Sequence, residues 1–259
     1  SFSNNEISQF KPGTFLNIKE GIETTCNFSM LSPGFYTTSM DQFYSLIRNT
    51  LYNAVKKRVK NTDREIGCLL SGGLDSSLIA SMVAKEIHPT KLYTFSIGIK
   101  GSPDLEFAKK AAEHIGSIHH SVELTKNDFL EAIEDVICDI ESYCTTTVRA
   151  SVGNWLVAKY IKGNTDIKVV FCGDGADECC GGYIYMSHAP NCQSFDKECI
   201  RLLENIHYYD VLRSDRTISS HGLEPRTPFL DRSFVSAYLN IPSHLRFSKL
   251  GEEKKLLRD

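Results

Sequence analysis

The sequence predicts an α/β fold, a doubly wound and mostly parallel sheet with a helical C-terminal part. Three observations predict it. Apolar, β-rich runs at Ile66-Gly-Cys-Leu-Leu70, Lys91–Ile99 and Ile167–Cys172 alternate with segments of helical period. The first run ends in a glycine turn, Ser71-Gly-Gly73, followed by helical spacing from Ser76 to Ile87. From Tyr183 onward the chain is helical in texture.

Composition narrows the class. At 259 residues and 41% hydrophobic, the chain can build one large domain or one domain with an appendage. A net charge of −3 gives no electrostatic reason to expect nucleic acid or a membrane surface as partner. No apolar run reaches the roughly 18 residues of a spanning helix, and no signal-peptide pattern opens the chain. Nine cysteines, odd in number and without a Cys-x-x-Cys pair, read as reduced thiols rather than structural zinc, and a cytoplasmic protein is expected.

Taken in order, residues 1–38 lack helical periodicity, with Phe10–Ile18 a turn into one strand and Ser32-Pro-Gly34 a break. They read as an edge piece or the tail of a preceding domain. From Ser39 to Lys60, Phe43, Ile47, Leu51, Val55 and Val59 recur four apart as an amphipathic helix with Ser39 as N-cap. Its basic end, Lys56-Lys-Arg-Val-Lys60, reads as a solvated face complementing the helix dipole.

Ser102 and Pro103 start a helix, His120–Leu124 is a short strand, and Asn127–Ser142 and Val148–Ile161 are helical. Two prolines impose an extended path on His221–Asp231. Arg226 there is either a ligand arm or a pin to a carboxylate such as Asp231. Gly251–Asp259 reads as part of a helix that continues past the last residue.

Two loops carry the chemistry. Glycines before a helix start let a backbone approach an anion and present free N–H groups to it. No Lys follows as in the usual nucleotide loop, and Asp75 stands where a metal ligand would help, which points to a metal-bound pyrophosphate. The second loop, Gly173-Asp-Gly-Ala-Asp-Glu178, packs three carboxylates into five positions, and such repulsion needs a cation, a proton or a reaction. In a parallel sheet both loops, with the strand end at Ile97-Gly98, fall along one edge.

The string Ser71-Gly-Gly-Leu-Asp-Ser-Ser77 resembles the signature of the ATP-pyrophosphatase (PP-loop) synthetases, whose fold is adenine-nucleotide alpha-hydrolase-like. From Phe10 to Asp259 the chain further resembles the synthetase domain of glutamine-hydrolysing, eukaryotic-type asparagine synthetases. The blocks that carry this are Arg64–Ser77, Gly101-Ser-Pro-Asp-Leu105, Thr146-Thr-Val-Arg-Ala-Ser151, Gly181-Gly-Tyr-Ile-Tyr185, His221–Glu224 with Pro228–Asp231, and Glu253-Lys254 through Leu257-Arg258.

The resemblance implies amidation of aspartate to asparagine through a β-aspartyl-AMP intermediate, with ATP and Mg²⁺, releasing AMP and pyrophosphate; the alternatives are a catalytically impaired nucleotide-binding remnant or a related adenylating synthetase such as a β-lactam synthetase. It implies small-molecule substrates, aspartate, ATP and ammonia or glutamine, and is compatible with a homodimer. By it, Ser71, Gly72, Gly73, Asp75, Ser76 and Ser77 cradle pyrophosphate and Asp75 and Asp177 hold the metal. Leu70, Ile97, Gly98, Cys172 and Gly173 line the nucleotide. Thr146, Thr147 and Arg149 orient substrate, Lys254 stabilises charge at the α-phosphorus, and Asp174 is the base.

Two departures stand out. The family motif reads Ser-Gly-Glu-Gly-Ser-Asp-Glu, whereas this chain has Cys172-Gly-Asp-Gly-Ala-Asp-Glu178. That draws the basic carboxylate back by about 1.5 Å, and displacement on that scale can cost about 10²-fold. Glutamine-hydrolysing members also begin with a domain whose N-terminal Cys attacks glutamine; Cys26 lies in the wrong context to serve, so either that domain lies outside this sequence, the expectation favoured by residues 10–18, or free ammonia is used. Residues 1–38 are therefore expected to be that domain's tail or a linker, and 39–259 a synthetase domain incomplete at its C-terminus.

Overall fold

The computed structural model describes residues 10–20, 22–27, 39–249 and 252–259. The break expected at 32–34 lies outside them. Strands β1 (Thr14–Lys19) and β2 (Ile22–Asn27) form an antiparallel hairpin separate from the main sheet, where the sequence reading had one strand.

Helix α1 (Met40–Lys60) starts where expected: the Ser39 side chain accepts from the backbone N–H of Gln42, and Phe43, Ile47, Leu51 and Val55 are buried. Strand β3 (Ile66–Leu69), α2 (Leu74–Ile87), β4 (Tyr93–Ile99), α3 (Pro103–Ile115) and β5 (Ile118–Leu124) continue the alternation. Ser102 occupies the N-cap of α3 by backbone conformation alone, without a side-chain cap bond.

The expected helix at 127–142 is broken in two, α4 (Lys126–Glu131) and α5 (Ile133–Ile140). Thr125 and Asp128 form a capping box at the start of α4. Helix α6 (Thr145–Asn164), β6 (Val169–Phe171) and α7 (Ala176–Cys180) follow. The last third holds α8 (Cys192–Asn205), α9 (Asp210–Ser219), β7 (Glu224–Arg226), α10 (Arg232–Leu239), α11 (Ser243–Arg246) and α12 (Lys255–Arg258).

The main sheet has the order β5-β4-β3-β6-β7, with every neighbouring pair parallel. Both faces are covered, as β6 shows by its alternation: Val169 and Phe171 enter the cluster of α1 and α2, while Val170 enters that of α6 and α9. The chain runs from β3 outward through β4 to β5 and then crosses back to β6, so a crevice opens between β3 and β6 at their C-terminal ends.

Around the last third one expectation is sharpened and three are corrected. The extended path at 221–231 contains β7, an edge strand, where Pro225 removes a donor at no cost to an inner ladder. Arg226 does not pair with Asp231; it pairs with Glu224 at 2.9 Å and donates to the carbonyls of Arg58 and Asn61 at the end of α1. Asp231, 4% exposed, instead holds Lys57 and Arg58, each at 2.7 Å, so the basic run is partly an anchor rather than a solvated face. The C-terminal segment is helical only from Lys255, because Lys254 takes a left-handed conformation (φ 54°).

Candidate active site

The β3–β6 crevice is a cleft of about 240 Å³ lined by both predicted loops. On the β3 side, Ser71, Gly73, Asp75 and Ser76 face it. The Ser71 and Ser76 hydroxyls lie 3.0 Å apart, and Ser76 Oγ also accepts from the Ser71 N–H at 3.2 Å. These bonds hold the turn in shape before any ligand arrives. On the β6 side, Cys172, Gly173, Asp174, Gly175, Asp177 and Glu178 complete the wall. Gly173 is needed for the close approach of the loops, since a β-carbon there would lie 3.0 Å from Asp75 Cβ and 3.1 Å from the Ser76 nitrogen.

Lys254, from the far end of the chain, lines the adjoining pocket with Gly181 and Tyr183 rather than this cleft, and meets the cleft wall through its carboxylates. Its ammonium lies between two carboxylates, pairing with Asp75 and with Asp177 Oδ1, the latter at 2.7 Å. Burial pushes the Asp75 carboxyl up, more than the Lys254 charge pulls it down, and Asp177 adds to the rise. Burial alone would depress Lys254, but Asp75 and Asp177 carry it above the ordinary lysine range. The ammonium therefore stays charged, flanked by two acids.

Asp75 Oδ1 is buried with no hydrogen-bond partner, which marks an open ligand position. The two carboxylates meet on the Lys254 ammonium, and the remaining Asp75 Oδ1 is the kind of hard donor that suits Mg²⁺, an ion usually held by one or two carboxylates together with substrate phosphates. Among the described residues no group of three or more His, Cys, Asp or Glu is placed to hold a metal ion.

Several predicted residues lie beside the cleft rather than on it. Gly72 backs onto α3, where a β-carbon would meet the Phe107 backbone at 2.4 Å. The Leu70 side chain is in the core, leaving only its backbone to face a ligand. Ile97 is half-buried against the second cluster, Gly98 packs beside Leu105, and the buried Ser77 Oγ has no partner. Thr146, Thr147 and Arg149 sit in the first turns of α6 and are not among the cleft's lining residues, although Asn154, further along that helix, is.

Other residues that sequence reasoning missed complete the cleft. Asp210 comes from α9, and one turn on, Ser214 donates to Asp174 Oδ2. Tyr183 donates to Glu178 Oε1. Burial raises the Glu178 carboxyl, Tyr183 opposes that rise, and Asp177 and Asp174 reinforce it. Burial and Glu178 in turn keep the Tyr183 phenol protonated. Tyr183 stood in the Gly181-Gly-Tyr-Ile-Tyr185 block, which was its one sequence signal; Ser214 and Asp210 had none.

With this geometry in place, relatives can be compared. The asparagine synthase family model matches residues 46–197 and 187–259. The glutamine-hydrolyzing asparagine synthetase of Homo sapiens is 48% identical over 237 residues, covering 90% of this chain and 42% of that protein. The Gallus gallus protein of the same name is 50% identical over 218 residues, covering 83% and 39%. The chain thus spans about two fifths of the length of these relatives. Among solved structures, the U34-tRNA thiolase NcsA from Methanococcus maripaludis superposes with a TM-score of 0.43 at 13% identity, over 83% of this chain and 70% of that one, too distant to carry an argument. No helix among the described residues is long and apolar enough to cross a membrane. The family match across most of its length, with these identities, places the chain: it belongs to the asparagine synthase family.

Proposed function

We propose that this chain carries the ATP-dependent half of asparagine synthesis, activating aspartate as β-aspartyl-AMP and passing the acyl group to ammonia. The observation that supports this best is the convergence of Lys254, Asp75 and Asp177 beside the glycine loop at the β3–β6 crevice. A β-carboxylate oxygen of aspartate attacks the α-phosphorus of ATP, and the bond to the β-phosphate oxygen breaks. The N–H groups and hydroxyls of Ser71–Ser76 bind the departing pyrophosphate. Lys254, already charged and buried, stabilises the negative charge that grows there. Asp75 and Asp177 would hold Mg²⁺, which would supply further neutralisation of the phosphates.

In the second step the ammonia lone pair attacks the acyl carbon, the acyl C–O bond breaks, and AMP leaves with the electron pair. Asp174 takes the proton shed by nitrogen. Cys172 and Gly173 lie against the nucleotide, and Thr146, Thr147 and Arg149 orient substrate from the start of α6. Ammonia is free or comes from glutamine, the substrate that the relatives' name prints. On this reading residues 1–38 belong to the tail of a preceding domain and 39–259 to the synthetase domain, acting in the cytoplasm. The test is to supply ATP, Mg²⁺, aspartate and ammonia and measure asparagine and pyrophosphate. Equal amounts of both are expected; a chain that binds ATP and forms neither refutes the proposal.

A further inference from the structure

Asp174 has a single methylene between backbone and carboxylate, so its reach into the cleft is short and its aim depends on what holds it. Two donors meet on one of its oxygens. Oδ2 accepts from the Ser214 hydroxyl and from the Cys172 thiol, the latter at 3.1 Å. Both donors are buried, each 3% exposed. Among the described residues no hydrogen bond reaches Oδ1, and Asp174 lines the cleft.

The two donors come from different elements. Cys172 follows β6 and is part of the loop itself, whereas Ser214 projects from α9, which packs on α6 across the second core cluster. Burial and the neighbouring Asp174 push the Cys172 thiol up, so it remains an S–H donor. The Ser214 hydroxyl donates to no other described group, and a buried hydroxyl is costly unless bonded.

We propose that Ser214 is a positioning residue for the amination step: with Cys172 it fixes Oδ2 of Asp174 and leaves Oδ1 turned to the cleft, where it receives the ammonia proton. This rests on the synthetase reading above. It accounts for how the shorter carboxylate serves as base, because the aim that a longer side chain would gain by reach is supplied here by α9.

The experiment measures asparagine formed per pyrophosphate released, with ammonia as nitrogen source, in the wild type, Ser214→Ala, Asp174→Glu and the double variant. Loss of a hydrogen bond to a charged group predicts a fall of about tenfold in that ratio for Ser214→Ala. In the Asp174→Glu background the same change should move the ratio less than about twofold, since the longer side chain carries its carboxylate past Ser214. Ser214→Cys, which fills the space with a weaker donor, should fall between, and it serves if the alanine variant does not fold. An unchanged ratio in Ser214→Ala, or an equal loss in both backgrounds, overturns the positioning role while leaving the synthetase reading intact. Absence of pyrophosphate from the wild type itself refutes both.

Discussion

The ammonium of Lys254 lies 2.7 Å from Asp177 Oδ1, joining residues 77 positions apart in sequence across the candidate active site. Lys254 makes this contact from a left-handed backbone conformation (φ 54°) just before α12. The ammonium offsets part of the charge of these two acids, Asp177 and Asp75, and on the proposed reading the same charge would serve the phosphates of ATP.

Lys254→Met keeps the stem and removes the charge. Pyrophosphate release from ATP and aspartate should fall by at least about 10²-fold, with a smaller loss of nucleotide affinity by calorimetry. Near-normal release from this variant would rule Lys254 out of the activation step.

Divalent ions should be required at the same place. Chelation with EDTA is expected to stop pyrophosphate release and added Mg²⁺ to restore it. Asp177→Asn removes one of the two carboxylates and should raise the Mg²⁺ concentration for half-maximal activity about tenfold. An unshifted Mg²⁺ titration would place the metal elsewhere.

Gly182 is the spacer that lets Lys254 through. A β-carbon there would lie 1.9 Å from Asp177 Oδ1 and 2.1 Å from Lys254 Cε. Gly182→Ala should therefore uncouple the pair and cut activity about 10²-fold, with only a modest drop in melting temperature, because the clash falls on movable side-chain ends. Full activity in this variant would show that the Lys254–Asp177 contact is dispensable.

Asp231 anchors the end of α1 to the β7 loop through Lys57 and Arg58. Burial acts to raise its carboxyl, but Lys57, Arg58 and the Ser233 N–H prevail and hold it below the usual aspartate range. Its contribution to stability is therefore present above the unfolded-state value of about 3.9 and is lost as pH falls through the lower folded value. Asp231→Asn should lose roughly 2–3 kcal/mol at neutral pH, and its deficit relative to wild type should shrink in strong acid. Urea unfolding at pH 7 and in that acid range measures both.

Glu178 behaves in the opposite sense. Its folded carboxyl is raised by burial and by Asp177 and Asp174, so its ionised form costs stability above that raised value, and the cost is relieved as pH falls through it. Glu178→Gln keeps an acceptor for Tyr183 and removes the charge. Its melting temperature should exceed wild type by roughly 2–4 °C at pH 8 and by less at pH 5. A lower melting temperature at pH 8 would mean that the charge stabilises the cleft.

Much of the fold could be read from the residues. The four-residue spacing from Phe43 to Val55 matches the buried face of α1, and the glycine turn after β3 leads into α2 at the crevice. Local signals failed where a distant partner decides. Nothing near Pro225 marks a strand, because β7 exists only by pairing with β6. In the 127–142 segment the capping box at Thr125 sets where α4 begins, but the split itself falls at Ala132, which no local sequence signal marks.

The sequence by itself determined that two loops of complementary chemistry, Ser71–Ser77 and Gly173–Glu178, would follow parallel strands and so share an edge, since period and turn residues act over a few positions. Only the tertiary structure decided what stands between and behind them. Lys254 between Asp75 and Asp177, and Ser214 behind Asp174, are contacts between elements remote in sequence. They follow from how α9 and the C-terminal segment pack, and no local pattern encodes that packing.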